Sequence, residues 1–263
     1  MSSLSPPRRR FVYALVAAAV LVAAALSVAL LRDEALQTTE VPVVLVHGYG
    51  GSAGSLAELA GALRARGREV VAVDLPDRGE GDIGISARAL AGAVAGTRAA
   101  RVDLVGHSAG GVVIRAYLKD LGGIKRARRV VTLASPHHGT SLADFAASAG
   151  PDACVDACAQ LGTGSDFLAD LNADDETPGE VIYVSLWTAL DETVTPPESA
   201  VLDGATNIRV QDICAGVRLG HGDLVRDPLA IGLVIAALNE DGDAPRPADC
   251  GRLRALGSRA LSS

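Results

Sequence analysis

A serine in a glycine-rich turn is the strongest chemical signal in this sequence. Residues 106–110 read G-H-S-A-G and lie between an apolar run, Val102–Val105, and an amphipathic run, Val112–Leu121. Between a strand and a helix, this G-x-S-x-G pattern is typical of a sharp, strained turn whose flanking positions must be small. The helix N-terminus then favours negative charge developing at the serine. We therefore predict that Ser108 is a nucleophile; the alternative is an inert serine in a glycine-rich turn.

A second glycine-rich string, residues 47–51 (H-G-Y-G-G), follows the first apolar run of the chain. Acyl transfer passes through an oxyanion that backbone N–H groups must stabilise. The residue after the nucleophile, Ala109, is the predicted first donor. Tyr49 is the predicted second donor, because the glycines around it let the main chain approach a substrate. We expect His47 to support this loop rather than to act as a base.

Apolar runs alternate with amphipathic segments along most of the chain. The predicted strands are Val41–Val46, Glu69–Val73, Val102–Val105, Arg129–Ala134, Glu180–Trp187 and, less regularly, Ile208–Ile213. The predicted helices are Ser52–Arg66, Ile85–Val94, Val112–Leu121 and Asp227–Leu238. This alternation predicts an α/β fold with a mainly parallel sheet of about six strands, helices on both faces and no large cap domain. Residues 139–179 lack a clear period, and we expect them to form a flap over the site.

Three strings together carry a resemblance to a known family. Residues 42–51 (PVVLVHGYGG), 105–111 (VGHSAGG) and 135–140 (SPHHGT) resemble bacterial lipases of the α/β-hydrolase superfamily, above all the small class 2 triacylglycerol lipases. The last string is the most specific to lipases. The resemblance extends from about Val41 to Leu238. It implies ester hydrolysis through an acyl-enzyme, without a cofactor, and a chain order of serine, acid and histidine.

That order singles out an acid and a base. Asp191 lies just beyond the predicted strand Glu180–Trp187, in a stretch (DETVTP) similar to the family's acid loop, with Glu192 as its neighbouring rival. His221 follows Asp191 in the chain and lies in a glycine-flanked loop before the last predicted helix. We predict that His221 is the base and that Asp191 orients it. The alternatives are a solvated loop carboxylate and a surface histidine.

Other residues near these motifs could also take part. Asp144 and Asp212 are more distant rivals for the acid. His107 is expected to pack beside the turn, facing away from the site. His137 and His138 are expected either to shape the pocket or to serve packing alone.

Composition excludes several classes of partner. The 263 residues carry a net charge of −7, and only 3% are aromatic. Binding to a phosphate backbone needs clustered Lys and Arg, and binding of single strands needs aromatic stacking platforms. We therefore expect no nucleic-acid partner; we expect an ester or lipid substrate and a monomer.

The N-terminal segment predicts export or membrane attachment. Arg8, Arg9 and Arg10 precede an apolar run at residues 11–31. Its length of about 20 residues suffices for a membrane-spanning helix. The interpretations are a retained signal anchor, a cleaved signal peptide and a weaker match to a twin-arginine signal. The sequence thus divides into a signal or anchor (1–32), a linker (33–40), a catalytic domain (41–240) and a polar tail (241–263).

Four cysteines follow this segment. An even number in an exported chain predicts disulfides in an oxidising compartment, with three possible pairings. We favour Cys154–Cys158 and Cys214–Cys250. A zinc site is disfavoured, because paired Cys-x-x-Cys spacing is missing from the sequence.

The sequence therefore predicts an extracytoplasmic lipase or carboxylesterase, secreted or anchored. An acyltransferase or thioesterase with the same three residues is the enzymatic alternative. A non-catalytic, membrane-anchored binding protein of the same fold is the alternative from another class. Acyl chain length and the natural substrate stay open.

Overall fold

Six parallel strands form the centre of the molecule. The computed structural model describes residues 41–150, 152–239 and 246–262. The strands are β1 (Val43–Val46), β2 (Val70–Val73), β3 (Val102–His107), β4 (Ala127–Leu133), β5 (Ile182–Trp187) and β6 (Thr206–Arg209). They lie in the order β2-β1-β3-β4-β5-β6, and every neighbouring pair is parallel. The predicted fold class is confirmed.

Helices cover both faces of this sheet. They are α1 (Ala57–Ala65), α2 (Ile83–Gly96), α3 (Ala109–Asp120), α4 (Ser141–Ser148), α5 (Ala157–Gln160), α6 (Asp166–Asn172), α7 (Val210–Ile213), α8 (Pro228–Leu238) and α9 (Cys250–Leu261). Alternate residues of β1 face opposite sides, as strand geometry requires. Val43 and Leu45 belong to the core shared with α1, α8 and α9, whereas Val44 and Val46 belong to the core shared with α2 and α3. All four are fully buried, which explains the unbroken apolar runs in the sequence.

The strand order creates one reversal point. The chain passes from β1 to β2 on one side and then returns to place β3 on the other side of β1. In open parallel sheets, ligands bind outside the carboxyl ends of the strands at such a point. The two glycine-rich strings follow β1 and β3, so both lie at this edge.

The sixth predicted strand is wrong in its bounds. β6 ends at Arg209, and the predicted remainder forms the short helix α7. Val210 and Ile213, three residues apart, are both buried, which is helical rather than strand spacing. A short apolar run cannot by itself distinguish these two structures.

The segment predicted as a polar tail contains helix α9. Leu253, Gly257 and Ala260 form its buried face, and its other positions are mostly polar. Glycines allow α8 and α9 to touch closely: a Cβ at Gly232 would lie 2.0 Å from the Leu253 carbonyl oxygen. A narrow apolar stripe therefore suffices for α9 to pack on α8. Because the segment has few apolar residues, the sequence did not indicate this helix.

Both favoured disulfides are present. Cys154–Cys158 bridges residues within the predicted flap, and Cys214–Cys250 joins α7 to α9. The predicted anchor at residues 11–31 and the linker at 33–40 lie outside the described residues. Within the ranges that are described, no helix is both long and apolar enough to cross a membrane.

Candidate active site

Ser108 occupies a strained turn between β3 and α3. Its φ of 55° and ψ of −130° lie where non-glycine residues rarely occur. The turn is possible because Gly106 and Gly110 lack side chains: a Cβ at either position would meet backbone atoms at 2.5 Å and 2.3 Å. The Ser108 N–H donates to the Leu133 carbonyl at 2.8 Å. The turn thus matches the sharp strand-to-helix geometry predicted from the motif.

The loop after β1 is held from beneath by His47. This buried imidazole donates from Nδ1 to the Gly48 carbonyl at 2.8 Å and accepts the Leu75 N–H at Nε2, at 3.0 Å. Both partners fix the tautomer, because a carbonyl only accepts and an amide N–H only donates. His47 therefore supports the loop, which is the role predicted for it.

The two predicted oxyanion donors border the serine. Ala109 is the first residue of α3, so its N–H has no acceptor within the helix. Gly48 lies against the serine, since a Cβ there would be 2.7 Å from the Ser108 Cβ. Tyr49, the next residue, lines the same cavity as Ser108. The structure thus brings the segments that carry both predicted donors to the turn of Ser108.

Asp191 and His221 form a buried pair. His221 Nδ1 lies 2.9 Å from Asp191 Oδ2, and the two side chains are only 10% and 2% exposed. The other oxygen, Asp191 Oδ1, accepts the N–H groups of Thr193 at 2.9 Å and Val194 at 2.8 Å. The loop after β5 thus holds this carboxylate rigidly against the imidazole.

The rival acids have other partners. Glu192 is exposed and accepts the main-chain N–H of His221 at 3.2 Å, so it contacts the loop and leaves the ring to Asp191. Asp144 accepts the N–H and hydroxyl of Thr163, and Asp212 forms an ion pair with Arg209.

His107 contacts the predicted base, which differs from the expected orientation away from the site. Its ring centroid lies 4.8 Å from that of His221, with the planes tilted by 46°. Its Nε2 lies 3.2 Å from the main-chain oxygen of His221. Burial, and secondly the positive charge of a protonated His221, lower the pKa of His107 to about 4. The G-x-S-x-G motif drew attention to His107. Its contact with His221, however, joins residues 114 positions apart, so no local sequence pattern predicts it.

His137 and His138 lie apart from the serine. His137 is fully buried; its Nε2 lies 3.1 Å from the Thr132 hydroxyl, which in turn donates to Ser185. Burial lowers the pKa of His137 well below its ordinary value, so the ring is neutral. His138 pairs with Glu176 at 2.8 Å near the surface. These contacts indicate packing roles.

An apolar cavity of about 250 Å³ opens at Ser108. It is lined by loops at the carboxyl ends of the strands and by the flap (residues 139–179). The lining residues are Tyr49, Ser108, Pro136, Thr140, Leu142, Ala143, Ala146, Ala153, Cys158, Leu161, Thr193 and Val194. The flap contains α4, α5 and α6 and contributes most of this wall. In the described part of the chain, no group of three His, Cys, Asp or Glu side chains is placed to hold a metal ion.

Comparison with known proteins agrees with this architecture. The model of the "Alpha/beta hydrolase family" matches residues 43–260. Among solved structures, lipase B of Aspergillus fumigatus has a TM-score of 0.69 at 24% identity, covering 84% of this chain and 61% of its own. Lipase BlEst2 of Bacillus licheniformis, in its propeptide form, has a TM-score of 0.63 at 24% identity, covering 80% and 52%.

This chain therefore spans less than two thirds of the length of either of those two structures. The mature form of the Bacillus licheniformis lipase has a TM-score of 0.62 at 22% identity, covering 77% of this chain and 94% of its own. At these identities the likeness establishes the fold alone. Because the family match extends over residues 43–260, most of the chain, this protein belongs to the alpha/beta hydrolase family.

Proposed function

We propose that this protein is an extracytoplasmic serine hydrolase that cleaves carboxylic esters. The observation that carries the proposal is the buried Asp191–His221 pair, 2.9 Å between Oδ2 and Nδ1, at the sheet edge where Ser108 is held in its strained turn. Where a carboxylate orients an imidazole toward a serine hydroxyl, the imidazole can activate that hydroxyl for attack.

The first half-reaction forms an acyl-enzyme. Ser108 Oγ attacks the ester carbonyl carbon, and His221 Nε2 takes the hydroxyl proton. The N–H groups of Tyr49 and Ala109 stabilise the resulting oxyanion. As the tetrahedral intermediate collapses, the bond to the leaving oxygen breaks and His221 returns its proton to that oxygen. An alcohol leaves, and the acyl group stays on Ser108.

The second half-reaction releases the acid. Water attacks the acyl carbon while His221 takes a proton from it, and the Ser108–acyl bond then breaks as His221 protonates Oγ. Asp191 remains ionised throughout: it holds the ring in one tautomer and stabilises the imidazolium.

The apolar cavity favours a substrate that binds through an apolar acyl group. Alanine, leucine and valine side chains dominate its wall, and burial of each methylene contributes about 0.8 kcal/mol. A 150 Å³ cavity accommodates benzene, so about 250 Å³ accommodates on the order of ten carbon atoms. A medium-length acyl chain is the substrate that this volume favours.

The two disulfides support a location outside the cytoplasm, because thiols are kept reduced inside it. Alkylation and mass spectrometry of the protein from its native cells test this location. We expect Cys154, Cys158, Cys214 and Cys250 to resist alkylation until reductant is added. Four free thiols would contradict it.

Turnover of p-nitrophenyl esters by the full chain tests the reaction. Replacing Ser108→Ala is expected to lower kcat by about 10⁴-fold or more, because the nucleophile is removed. Ser258→Ala, at an exposed position of α9, is the matched control and should leave kcat unchanged. A fluorophosphonate should label Ser108 in wild-type protein. Equal turnover by wild type and Ser108→Ala would refute the proposal.

A further inference from the structure

His107 links the nucleophile's strand to the loop of the base. It is the last residue of β3 and directly precedes Ser108 in the chain. His221 begins a short 3-10 turn, His221–Val225, after an irregular loop.

The direction of the His107 hydrogen bond follows from its partner. The main-chain oxygen of His221 can only accept, so His107 Nε2 must carry a proton and donate it across the 3.2 Å contact. The tilted ring contact, 4.8 Å between centroids, places His107 against the imidazole of His221 as well. One side chain thus touches both the backbone and the ring of the same residue.

The neighbouring contacts act on other atoms. Asp191 holds the His221 ring at Nδ1, and Glu192 accepts its main-chain N–H. The Thr188 hydroxyl donates to the Leu219 carbonyl at 2.7 Å, two residues earlier. All three come from the β5 side of the site, whereas His107 comes from β3, the strand that ends at Ser108. Of these four contacts, that of His107 is the one that joins the loop of His221 to the strand that ends at Ser108.

We propose that His107 is a positioning residue. By donating from Nε2 to the His221 carbonyl, it holds the His221 loop at a fixed distance from Ser108. This inference rests on the proposed ester hydrolysis and deepens it. Small displacements matter, since misplacing a catalytic group by about 1 Å can reduce the rate about 100-fold.

The uncharged state of His107 fits this role. Its pKa, lowered to about 4, leaves the ring neutral near neutral pH. A second cation beside His221 would oppose the imidazolium that forms during the reaction. A neutral donor supplies the hydrogen bond without that opposition.

A matched pair of variants in the full chain tests the inference. His107→Gln keeps an N–H donor close to the Nε2 position, whereas His107→Met keeps similar bulk without a donor. We expect His107→Met to lower kcat for p-nitrophenyl butyrate about 10- to 100-fold with KM within about two-fold, because positioning rather than binding is lost. His107→Gln should restore kcat to within about three-fold of wild type on the same grounds. Equal kcat in the two variants would overturn the inference.

A second measurement does not depend on turnover. The Nδ1–H proton of His221, assigned by its loss in His221→Gln, should give a protected downfield NMR signal in wild type and His107→Gln. It should broaden through exchange with water in His107→Met, because the loop is no longer held. An unchanged signal in His107→Met would also overturn the inference. If wild type and Ser108→Ala hydrolyse esters equally, the proposed function fails and this signal alone decides the role of His107.

Discussion

Two regions border Ser108, and they are held in different ways. The strand-end loops, residues 47–51, 188–194 and 219–221, place His47, Asp191 and His221 at 1%, 7% and 8% exposure. The flap borders the same cavity but leaves Leu142, Phe145 and Val155 at 48%, 75% and 51% exposure. The predicted acid and base therefore lie in buried loops, whereas the flap on the other side of the cavity is partly exposed.

The flap is attached to the rest of the domain by apolar packing and by side-chain hydrogen bonds; its buried apolar residues include Leu161, Leu168 and Leu171. The Gln160 side chain donates to Asp82 at 2.7 Å and accepts the Ile83 N–H at 2.8 Å. The Asn172 amide donates to the His137 carbonyl at 2.9 Å. The Cys154–Cys158 disulfide braces the flap only within itself. We infer that the strand-end loops determine the rate for every ester, whereas the flap determines which ester is accepted.

Asp191→Asn tests the strand-end loops and should have the largest effect on the rate. The amide cannot hold the same His221 tautomer, so we expect kcat to fall about 10⁴-fold for short and medium acyl esters alike. Glu192→Gln is the matched control, because Glu192 accepts the main-chain N–H of His221 at 3.2 Å and not the proton of the ring. Steady-state kinetics on an acyl series measures both variants. A greater loss in Glu192→Gln would reassign the orienting acid.

Removal of each disulfide should lower stability to a different extent, because one bridge lies within the flap and the other ties α9 to the rest of the domain. The Cys214–Cys250 bridge closes 36 positions and the Cys154–Cys158 bridge closes 4. The chain-entropy relation predicts losses of about 4 and about 2 kcal/mol in unfolding free energy for the two double Cys→Ser variants. Urea unfolding measures them. Similar losses would mean that α9 is held chiefly by its packing on α8.

Ala146→Phe should alter substrate choice without altering the chemistry. Ala146 lines the cavity, so the larger ring fills space that a medium acyl chain would occupy. We expect kcat/KM for octanoate esters to fall about 10- to 100-fold, whereas that for acetate esters stays within about two-fold. Ala147→Phe, on the exposed side of α4, is the control. An equal loss for both esters would show that the flap also positions the catalytic groups.

Acidification should destabilise the folded protein, because burial holds His107 and His137 neutral in the folded state. The pKa of His107 falls from 6.5 to about 4 in the folded state, and that of buried His137 also falls. The unfolded chain therefore binds more protons below pH 6.5, so the stability present above that pH is lost as the pH falls toward 4. Tm measured from pH 7 to 4 should decline, and His107→Gln should make the decline shallower.

Short-range patterns carried most of the fold and the positions of the candidate site. The period of the apolar runs predicted the parallel sheet, since strands buried on both faces must be apolar throughout. The glycines at 106 and 110 predicted the strained turn, because the backbone itself would exclude any side chain there. Chain order in the resembling family then singled out Asp191 and His221, which lie 2.9 Å apart in the structure.

Only the tertiary structure decided which distant residues meet. The tilt of His107 onto His221, the three short helices of the flap and the docking of α9 on α8 depend on contacts between segments far apart in the chain. Periodicity and steric rules act over a few residues, whereas these contacts are selected by the packing of the whole core. The sequence by itself therefore determined the positions of the candidate site residues, and packing determined how His221 is held and what shape the cavity at Ser108 has.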